Sequence, residues 1–324
     1  MILIFSERSD LNTRRVLSYL NYHEAPFELF LEDDTIEFTY LMENNTFHYT
    51  IYKNAQRVCT DSEITSVWFR RTDIRVSSLL TDPFPSQALE VYSKEHVKTR
   101  YSQIQRCLNQ KKCLGKFGYG NYNKIEFIEK CIALNILIPR TLITNSKAQL
   151  VDFIKSCSGE IITKSLSSPY ESQEFDELGR LLAYRLGYTA SIKEPDLNVI
   201  PNEFDLSLFQ EKLDKFFEIR TIYINGKTFS QAIFSQSRDE AALDYRLGYQ
   251  SGMRTCNYSL PHKIEEQVQE LMRALDLNFG SLDIVVTTAY EYVFLEVNPC
   301  GQYGAVSDVI NSNIDFEVAS FLLN

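Results

Sequence analysis

Three residues with oxygen-bearing side chains lie close together near the end of the sequence. Glu296 and Asn298 are two positions apart in an apolar segment, and a β-strand places such residues on the same face. If the turn before them is centred between Ala289 and Tyr290, Asp283 lies directly opposite Glu296. Two carboxylates and one amide oxygen on one face would suit Mg²⁺, which takes one or two carboxylates and completes its shell with water and substrate phosphates.

The alternative is a pair of acidic residues that face solvent on an antiparallel sheet. Like charges directly opposite each other destabilise a sheet, and a bound metal ion removes that conflict. The neighbouring residues, 284–286 and 293–295, are strongly apolar. The spacing therefore favours a metal site.

Side chains must hold any bound phosphate, because the sequence lacks a glycine-rich phosphate loop. Glycine accounts for 12 of 324 residues, and neither GxxxxGK[ST] nor GxGxxG occurs. Lys164 interrupts an apolar segment, where an inward-facing lysine needs an anionic partner. On an edge strand the same lysine would instead prevent pairing with another chain. Lys124 begins a predicted helix, and its position alone does not identify a role.

Arginines form a second set of candidates. Arg220 lies among isoleucines, so the sequence predicts either an acid on a neighbouring strand or a bound anion beside it. Further along the chain, Arg238, Arg246 and Arg254 are interleaved with acidic residues. That stretch is either a substrate-binding loop or a charged, solvated connection.

Composition excludes several classes of partner. Lys and Arg number 33 against 43 Asp and Glu, a net charge of −10, which disfavours a nucleic-acid-binding surface. The seven cysteines include no CxxC pair, so we expect reduced thiols. The N-terminus turns polar too early for a signal peptide, and no run reaches the roughly 18 apolar residues of a spanning helix. We therefore expect a cytoplasmic protein without a membrane or nucleic-acid partner.

The N-terminal elements alternate between strands and helices, which predicts an α/β layer structure. The predicted elements are strands at 1–5, 27–31 and 64–70, a hairpin of 46–52 with 57–59, a helix at 11–20 capped by Asp10, and a long helix from about 86 to 110.

The elements that position the candidate residues begin at residue 123. Helices are predicted at 124–134, 146–157, 261–275 and 315–323, and strands at 138–144, 160–166, 281–288 and 292–298. Asn225-Gly226 predicts a type I′ turn between strands 217–224 and 227–235. Residues 167–201 are predicted as loops around a small helix at 181–186. Domain boundaries are placed near residues 115 and 205.

Together, these segments resemble an ATP-grasp ligase along nearly the whole chain. By this resemblance Lys124 and Lys164 bind the nucleotide phosphates, Glu218 meets the ribose, and adenine lies at a hinge formed by Gln210, Glu211, Lys212 and Leu213. Mg²⁺ is bound by Asp283, Glu296 and Asn298.

The resemblance also implies the fold and its division. We expect an α/β protein with α+β layers and the ATP-grasp fold. Residues 1–115 form an N-terminal pre-ATP-grasp α/β domain, and 116–205 form a small central lid domain. Residues 206–324 form a C-terminal antiparallel-sheet domain that carries the magnesium site.

Within the superfamily, the sequence is most similar to graspetide maturases of the microviridin and grasp-with-SPASM types. The segments that carry this similarity are 67–71 (VWFRR), 217–220 (FEIR), 233–236 (IFSQ), 244–246 (DYR) and 299–304 (PCGQYG). The resemblance implies that ATP activates Asp or Glu side chains of a ribosomal precursor peptide as acyl phosphates. Ser, Thr or Lys side chains then close ω-ester or ω-amide rings.

The same resemblance suggests the remaining roles. Arg220 and Arg246 would stabilise the charge of the acyl phosphate. The leader of the precursor would contact the segment that begins at Tyr184 and ends at Asp196, including Glu194, although a solvated surface loop explains that segment equally well. The protein is expected to be a homodimer.

The competing hypothesis is a carboxylate–amine ligase that acts on a small molecule or a protein C-terminal tail, similar to glutathione synthetase or the ribosomal-protein glutamate ligases. One departure from the general ATP-grasp pattern is the segment 165–169 (SLSSP), which lacks the glycines that many relatives place over the phosphates. A catalytically silent nucleotide-binding protein would require a missing metal ligand, and none is missing.

Overall fold

The N-terminal part of the chain contains two sheets and two helices. The computed structural model describes residues 1–71, 75–76, 86–118, 123–166, 171–175, 181–186, 189–237 and 253–324, with only the backbone of 171–175 and 181–186. The first elements are β1 (Ile2–Phe5), α1 (Leu11–Tyr22), β2 (Phe27–Phe30), β3 (Thr35–Glu43), β4 (Thr46–Lys53), β5 (Gln56–Thr60), β6 (Ser66–Phe69), β7 (Arg75–Val76), α2 (Gln87–Asn109) and β8 (Cys113–Leu114). The first sheet has the order β2-β1-β6-β8, and its strands are parallel.

The second N-terminal sheet has the order β5-β4-β3-β7. The predicted hairpin of β4 and β5 is confirmed. The predicted strands β1, β2 and β6 and the predicted helices α1 and α2 are confirmed as well. Strand β3 was not predicted, although Ile36 and Phe38 alternate with polar residues and are buried. Ser86 caps α2 through its side chain, which accepts from the backbone N–H of Leu89.

The central part forms an antiparallel sheet with one helix on it. Its elements are α3 (Lys124–Ala133), β9 (Thr141–Ser146), α4 (Lys147–Ser156), β10 (Glu160–Lys164), β11 (Glu171–Phe175), β12 (Leu181–Leu186), β13 (Ala190–Lys193) and β14 (Glu203–Glu211). The sheet order is β13-β10-β14-β9. Helix α4 packs on this sheet through Leu150 and Ile154, which contact Ile161 and Phe209 in one buried cluster.

The prediction of a small helix at 181–186 is wrong. These residues form β12, which pairs antiparallel with β11 in a separate hairpin. An apolar run of six residues suits a strand as well as a helix. Pairing with Glu171–Phe175 provides backbone hydrogen bonds to the strand and decides in its favour. The predicted strand at 138–144 begins later, at Thr141, after Pro139.

The C-terminal part is built on a five-stranded antiparallel sheet of order β17-β16-β15-β18-β19. Its elements are β15 (Lys215–Ile224), β16 (Lys227–Ile233), β17 (Thr255–Tyr258), α5 (His262–Ala274), β18 (Phe279–Thr287), β19 (Tyr292–Asn298), α6 (Gly304–Val309) and α7 (Ile314–Leu323). The turn between β15 and β16 has positive φ at both central residues, 43° at Asn225 and 95° at Gly226. The predicted type I′ turn is confirmed.

The two faces of this sheet pack against different partners. On one face, Ile219 and Leu282 contact α5 residues such as Val268. Because strand residues alternate, Ile222 lies on the opposite face, and it packs with Trp68 of the N-terminal sheet. Glu218, Arg220 and Asp283 share that opposite face with Ile222 and Phe279, so the polar candidates and the contact with the N-terminal sheet lie on one side.

The other general expectations concern cysteines and membrane spans. All seven cysteines are free thiols, in agreement with the sequence prediction. In the described ranges, no helix combines the length and apolar character that crossing a bilayer requires. Strand β14 runs to Glu211 within the central sheet, past position 205, and the division into domains stays a prediction.

Candidate active site

Strands β18 and β19 bring the three oxygen-bearing residues together. Asp283 pairs with Glu296, and Ser281 pairs with Asn298, so the predicted register at these positions is confirmed. Nearer the turn, Val286 pairs with Tyr292, which centres the turn on Ala289 and not between Ala289 and Tyr290. A β-bulge between the two stretches adds one residue on β19 and restores the pairing at Asp283.

Arg220 lies on the neighbouring strand β15, directly across from Asp283. Its Nη1 donates to Asp283 Oδ1 at 3.0 Å and Oδ2 at 3.2 Å, and its Nη2 donates to Ser281 Oγ at 3.0 Å. Of the two sequence alternatives for Arg220, the structure contains the cross-strand acid. The side chains are 13% exposed for Arg220 and 18% for Asp283, so this ion pair is accessible from the site.

Lys124 is held at the first turn of α3. The Asn123 side chain caps that helix by accepting from the backbone N–H of Ile125 at 2.9 Å. The Lys124 Nζ lies 3.5 Å from Glu296 Oε2 and donates to the Ser165 carbonyl at 2.7 Å. This one ammonium group therefore bridges the C-terminal sheet and the residue that follows Lys164.

Lys164 ends β10, opposite Leu208 of β14. Strand β10 lies between β13 and β14, so the alternative that Lys164 belongs to an edge strand is wrong. Its side chain is half-buried, and its neighbour Ser165 already contacts Lys124. The structure thus brings the two predicted phosphate lysines to one region through the Ser165 backbone.

Each carboxylate of the central cluster has a cation beside it. Lys124 is paired with Glu296 and Arg220 with Asp283. These cations relieve the like-charge repulsion between Asp283 and Glu296, which was the reason for predicting a metal site from the sequence. Attraction to a cation at such partly exposed positions is moderate, so either carboxylate could exchange its partner for another cation.

The donor set fits a hard divalent cation. Two carboxylates and the exposed amide of Asn298 supply oxygen atoms on one face, the composition that Mg²⁺ accepts when water and phosphates complete its shell. Within the described ranges, no group of three or more His, Cys, Asp and Glu side chains is arranged to hold a metal.

Glu218 lies on the face of β15 that carries Arg220, but deeper in the molecule. Its Oε1 accepts from Ser235 Oγ at 2.6 Å and lies 3.3 Å from Lys215 Nζ. Burial raises the pKa of this carboxyl above its usual value, against the opposing effects of Lys215 and Ser235. The predicted contact of Glu218 with a ribose stays a prediction.

The predicted adenine hinge begins with the last two residues of β14 and continues past its end. Gln210 is buried, its Nε2 donates to Thr141 Oγ1 at 3.0 Å, and its Oε1 has no partner among the described residues. Glu211 Oε1 accepts from the Arg140 backbone N–H at 2.8 Å, and Lys212 Nζ lies 2.8 Å from Glu160 Oε1. Since those two side chains are engaged within the chain, a nucleotide base would meet the backbone there, next to the half-buried Leu213.

Several predicted residues have other surroundings or lie outside the described ranges. Arg246 and Arg238 lie outside them, as do residues 167–170 and the Tyr184 side chain. Arg254 is exposed, with its guanidinium carbon 5.4 Å from the centre of the Phe234 ring. Asp196 Oδ2 accepts from the Lys193 backbone N–H at 2.8 Å, a structural contact within a short turn that also contains Glu194.

The sequence interpretation missed two polar residues on this side of the molecule. The Ser281 hydroxyl accepts from Arg220. The sequence contained a signal for it, because Ser281 is two positions before Asp283, on the same strand face, and pairs with Asn298. Asp10 was expected to cap α1, but its side chain makes no cap hydrogen bond. Instead it accepts from Arg70 Nε at 2.9 Å and from Thr13 Oγ1 at 2.8 Å.

Comparison with known proteins identifies the fold. No protein-family model and no curated protein sequence matches the chain. Among solved structures, the chain is similar to a Chryseobacterium gregarium RiPP-associated ATP-grasp ligase in complex with ADP and a leader and core peptide. The TM-score is 0.79 and the identity 19%, and the match covers 99% of this chain and 96% of that one.

Two further structures match over comparable lengths. The macrocyclase MdnC bound with precursor peptide MdnA, from Microcystis aeruginosa, is 24% identical with a TM-score of 0.76, covering 100% of this chain and 99% of that one. The ATP-grasp ligase PsnB complexed with a phosphomimetic variant of minimal precursor, Mg and ADP is 14% identical with a TM-score of 0.69, covering 99% and 97%. The chain therefore has the predicted ATP-grasp fold and the predicted antiparallel C-terminal sheet. Its first N-terminal sheet is parallel and its central sheet is antiparallel.

Proposed function

We propose that this protein is an ATP- and Mg²⁺-dependent graspetide maturase, which closes ω-ester or ω-amide rings in a ribosomal precursor peptide. The observation that carries the proposal is the cluster of Asp283, Glu296, Lys124 and Arg220 on one face of the C-terminal sheet. This cluster occurs in a fold shared with ligases that have been solved with ADP and with precursor peptides.

Lys124 and Lys164 are proposed to bind the phosphates of ATP. Lys124 sits at the beginning of α3, where the helix dipole adds positive potential to that of its ammonium group. Its ammonium group now contacts Glu296 Oε2 and the Ser165 carbonyl. We propose that it leaves these acceptors to bind a phosphate. Asp283, Glu296 and Asn298 would hold Mg²⁺, which screens the charge of phosphate oxygens.

The reaction follows from the poor reactivity of a free carboxylate. A carboxylate oxygen of the peptide attacks the γ-phosphorus of ATP, ADP leaves, and an acyl phosphate forms. A hydroxyl or amine of the same peptide then attacks the acyl carbon, loses its proton, and inorganic phosphate leaves. Arg220 and Arg246 are proposed to stabilise the negative charge on the acyl phosphate, as fixed cations do in such sites. Each ring removes one water molecule from the mass of the peptide.

The nucleotide base and ribose are proposed to lie at the hinge. Gln210 Oε1 is a buried acceptor without a partner among the described residues, which suits an amino-group donor such as that of adenine. Backbone groups of Glu211, Lys212 and Leu213 would border the same base. Glu218 would approach the ribose from β15, below Arg220.

The partner and setting are proposed as well. The leader of the precursor would contact the segment that begins in β12 at Tyr184 and ends at Asp196. The protein would act in the cytoplasm as a homodimer, without a nucleic-acid or membrane partner. Its free cysteines are compatible with a reducing compartment.

The test is a reconstituted reaction. The purified protein is incubated with ATP, Mg²⁺ and a short peptide rich in Ser, Thr, Asp and Glu that is encoded beside its gene, and the peptide mass is followed. We expect loss of one water mass per ring, with ADP and phosphate formed in equal amounts. Addition of a free amino acid to a small molecule or a protein tail would support the carboxylate–amine ligase instead. No ATP-dependent product with any peptide would contradict the proposal.

A further inference from the structure

Arg70 is a buried cation far from the ATP-grasp strands in sequence. It follows β6, and its backbone N–H donates to the Phe5 carbonyl at 2.9 Å. Its side chain is only 1% exposed and pairs with Asp10, whose side chain is 7% exposed. Burying a guanidinium is costly unless its donors are satisfied, so the remaining partners of this group are informative.

Those partners belong to the turn that follows β19. Arg70 Nη1 donates to the carbonyl oxygens of Cys300 and Gly301, the latter at 3.0 Å. In the orientation that suits its neighbours, the Asn12 amide oxygen accepts from Arg70 Nη2 at 3.1 Å and from the Gly304 backbone N–H at 3.2 Å. One guanidinium therefore joins the N-terminal sheet to the segment immediately after Asn298.

The same turn orients Asn298. The Cys300 backbone N–H donates to Asn298 Oδ1 at 3.0 Å, and the Gly301 backbone N–H donates to the Asn298 carbonyl at 3.1 Å. Gly301 has φ +48°, and a Cβ atom there would lie 2.9 Å from Cε1 of the Phe279 ring. The turn is thus fixed by Phe279 on one side and by Arg70 on its carbonyl side. An amide oxygen has two lone pairs, so Oδ1 retains one for a metal ion.

We propose that Arg70 is a positioning residue for the metal site. By holding the carbonyls of Cys300 and Gly301, it fixes the turn whose Cys300 N–H donates to Asn298 Oδ1, on the residue that pairs with Ser281. The inference rests on the proposed function, because it assumes that Asn298 is a metal ligand. Residues that orient metal ligands commonly change metal affinity by about 10–100-fold when they are altered.

The test measures metal binding directly, in the full chain with ADP present. Mn²⁺ is titrated and its free fraction followed by electron paramagnetic resonance, for the wild type, Arg70→Lys and Asn298→Ala. Lysine keeps a cation beside Asp10, but its single nitrogen has three donors, too few for the four acceptors that Arg70 reaches in Asp10, Asn12 and both carbonyls. We expect Arg70→Lys to weaken Mn²⁺ binding by about 10-fold, in the direction of Asn298→Ala. Binding of ADP without metal should stay unchanged.

Two further variants make the result decisive. Arg71→Lys is the matched control, because Arg71 is the next residue and pairs with Glu7 at 3.2 Å, with side chains 27% and 39% exposed. It should bind Mn²⁺ as the wild type does. Asn12→Ala removes one acceptor of Arg70 without removing a charge, and we expect a smaller loss of Mn²⁺ affinity than in Arg70→Lys.

The outcomes separate this inference from the proposed function. Wild-type Mn²⁺ affinity in folded Arg70→Lys and Asn12→Ala, even with a lower melting temperature, would overturn the positioning role and leave the proposed function intact. Absence of ADP-dependent Mn²⁺ binding by the wild type would overturn both. Equal weakening by Arg71→Lys would show that the effect is not specific to the turn, and it would also overturn the inference.

Discussion

Two arginine–aspartate pairs occupy very different places in this molecule. Arg70 and Asp10 join the N-terminal sheet to the turn after β19, with side-chain exposures of 1% and 7%. Arg220 and Asp283 lie across β15 and β18, with exposures of 13% and 18%. The first pair satisfies its atoms entirely with fixed protein groups, whereas the second faces the side on which nucleotide and metal are proposed to bind.

The difference teaches which pair can exchange its partners. Burial alone would raise the pKa of Asp10, but Arg70 and the Thr13 hydroxyl outweigh that effect and the pKa lies below its usual value. Asp10 therefore stays charged and bound to Arg70 across the neutral range. Arg220 and Asp283 retain access to solvent, so each can turn toward a ligand of opposite charge at lower cost.

The largest expected effect comes from breaking the buried pair. Arg70→Met leaves the Asp10 carboxylate buried without its cation and leaves the Cys300 and Gly301 carbonyls without a donor. We expect the free energy of unfolding to fall by about 3–5 kcal/mol. Urea unfolding followed by tryptophan fluorescence measures it, since Trp68 lies two residues before Arg70.

Arg220→Met is the matched comparison, because it removes the same guanidinium from the more exposed pair. We expect less than half the loss of stability seen in Arg70→Met, together with a larger loss of ATP-dependent turnover per folded molecule. Equal loss of stability in both variants would show that exposure does not separate the two pairs.

The next effect concerns the carboxylates of the exposed cluster. Asp283→Asn and Glu296→Gln keep shape and hydrogen-bonding capacity but remove the charges proposed to bind Mg²⁺. Altering a residue that only orients a metal ligand lowers activity by up to about 100-fold. Because these two residues are the proposed ligands themselves, we expect a larger fall in ATP-dependent product formation. Initial rates at saturating ATP and peptide measure this, with Arg71→Lys as the control. Full product formation by either variant would show that the metal assignment is wrong.

The register of this cluster was predicted correctly from the sequence, although the predicted centre of the turn was wrong. The pairing of Asp283 with Glu296 is correct although the turn is centred on Ala289, because the bulge compensates for the half-residue error. A bulge depends on how Leu295 and its neighbours pack, which the alternation of apolar residues does not reveal. Alternation does reveal that Glu296 and Asn298 share a face.

Contacts between distant segments were the part that sequence patterns could not supply. An apolar run at 181–186 suits a helix or a strand equally, and pairing with Glu171–Phe175 decides in favour of the strand. Arg70 meets Cys300 and Gly301 across 230 and 231 positions, so no local spacing points to that contact. Its one visible sign was an arginine directly after the apolar residues Val67, Trp68 and Phe69.

The smallest effect is a difference in pH dependence between two buried carboxyls. The pKa of Asp10 is lowered from 3.8, so its contribution to stability is complete above that value and is lost as pH falls through the lower folded-state pKa. The pKa of Glu218 is raised from 4.5, chiefly by burial, so its contribution is most favourable below 4.5 and is lost as pH rises through the folded-state pKa.

Asp10→Asn should therefore be less stable than the wild type at neutral pH, and this difference in unfolding free energy should become smaller in acid. Glu218→Gln should gain relative to the wild type as pH rises above 4.5. Urea unfolding of both variants and the wild type between pH 3 and 8 measures how each difference in unfolding free energy, variant minus wild type, changes with pH. If both differences changed with pH in the same direction, the contrast between the two carboxyls would be contradicted. One is held by a buried arginine, the other mainly by Ser235 and Lys215.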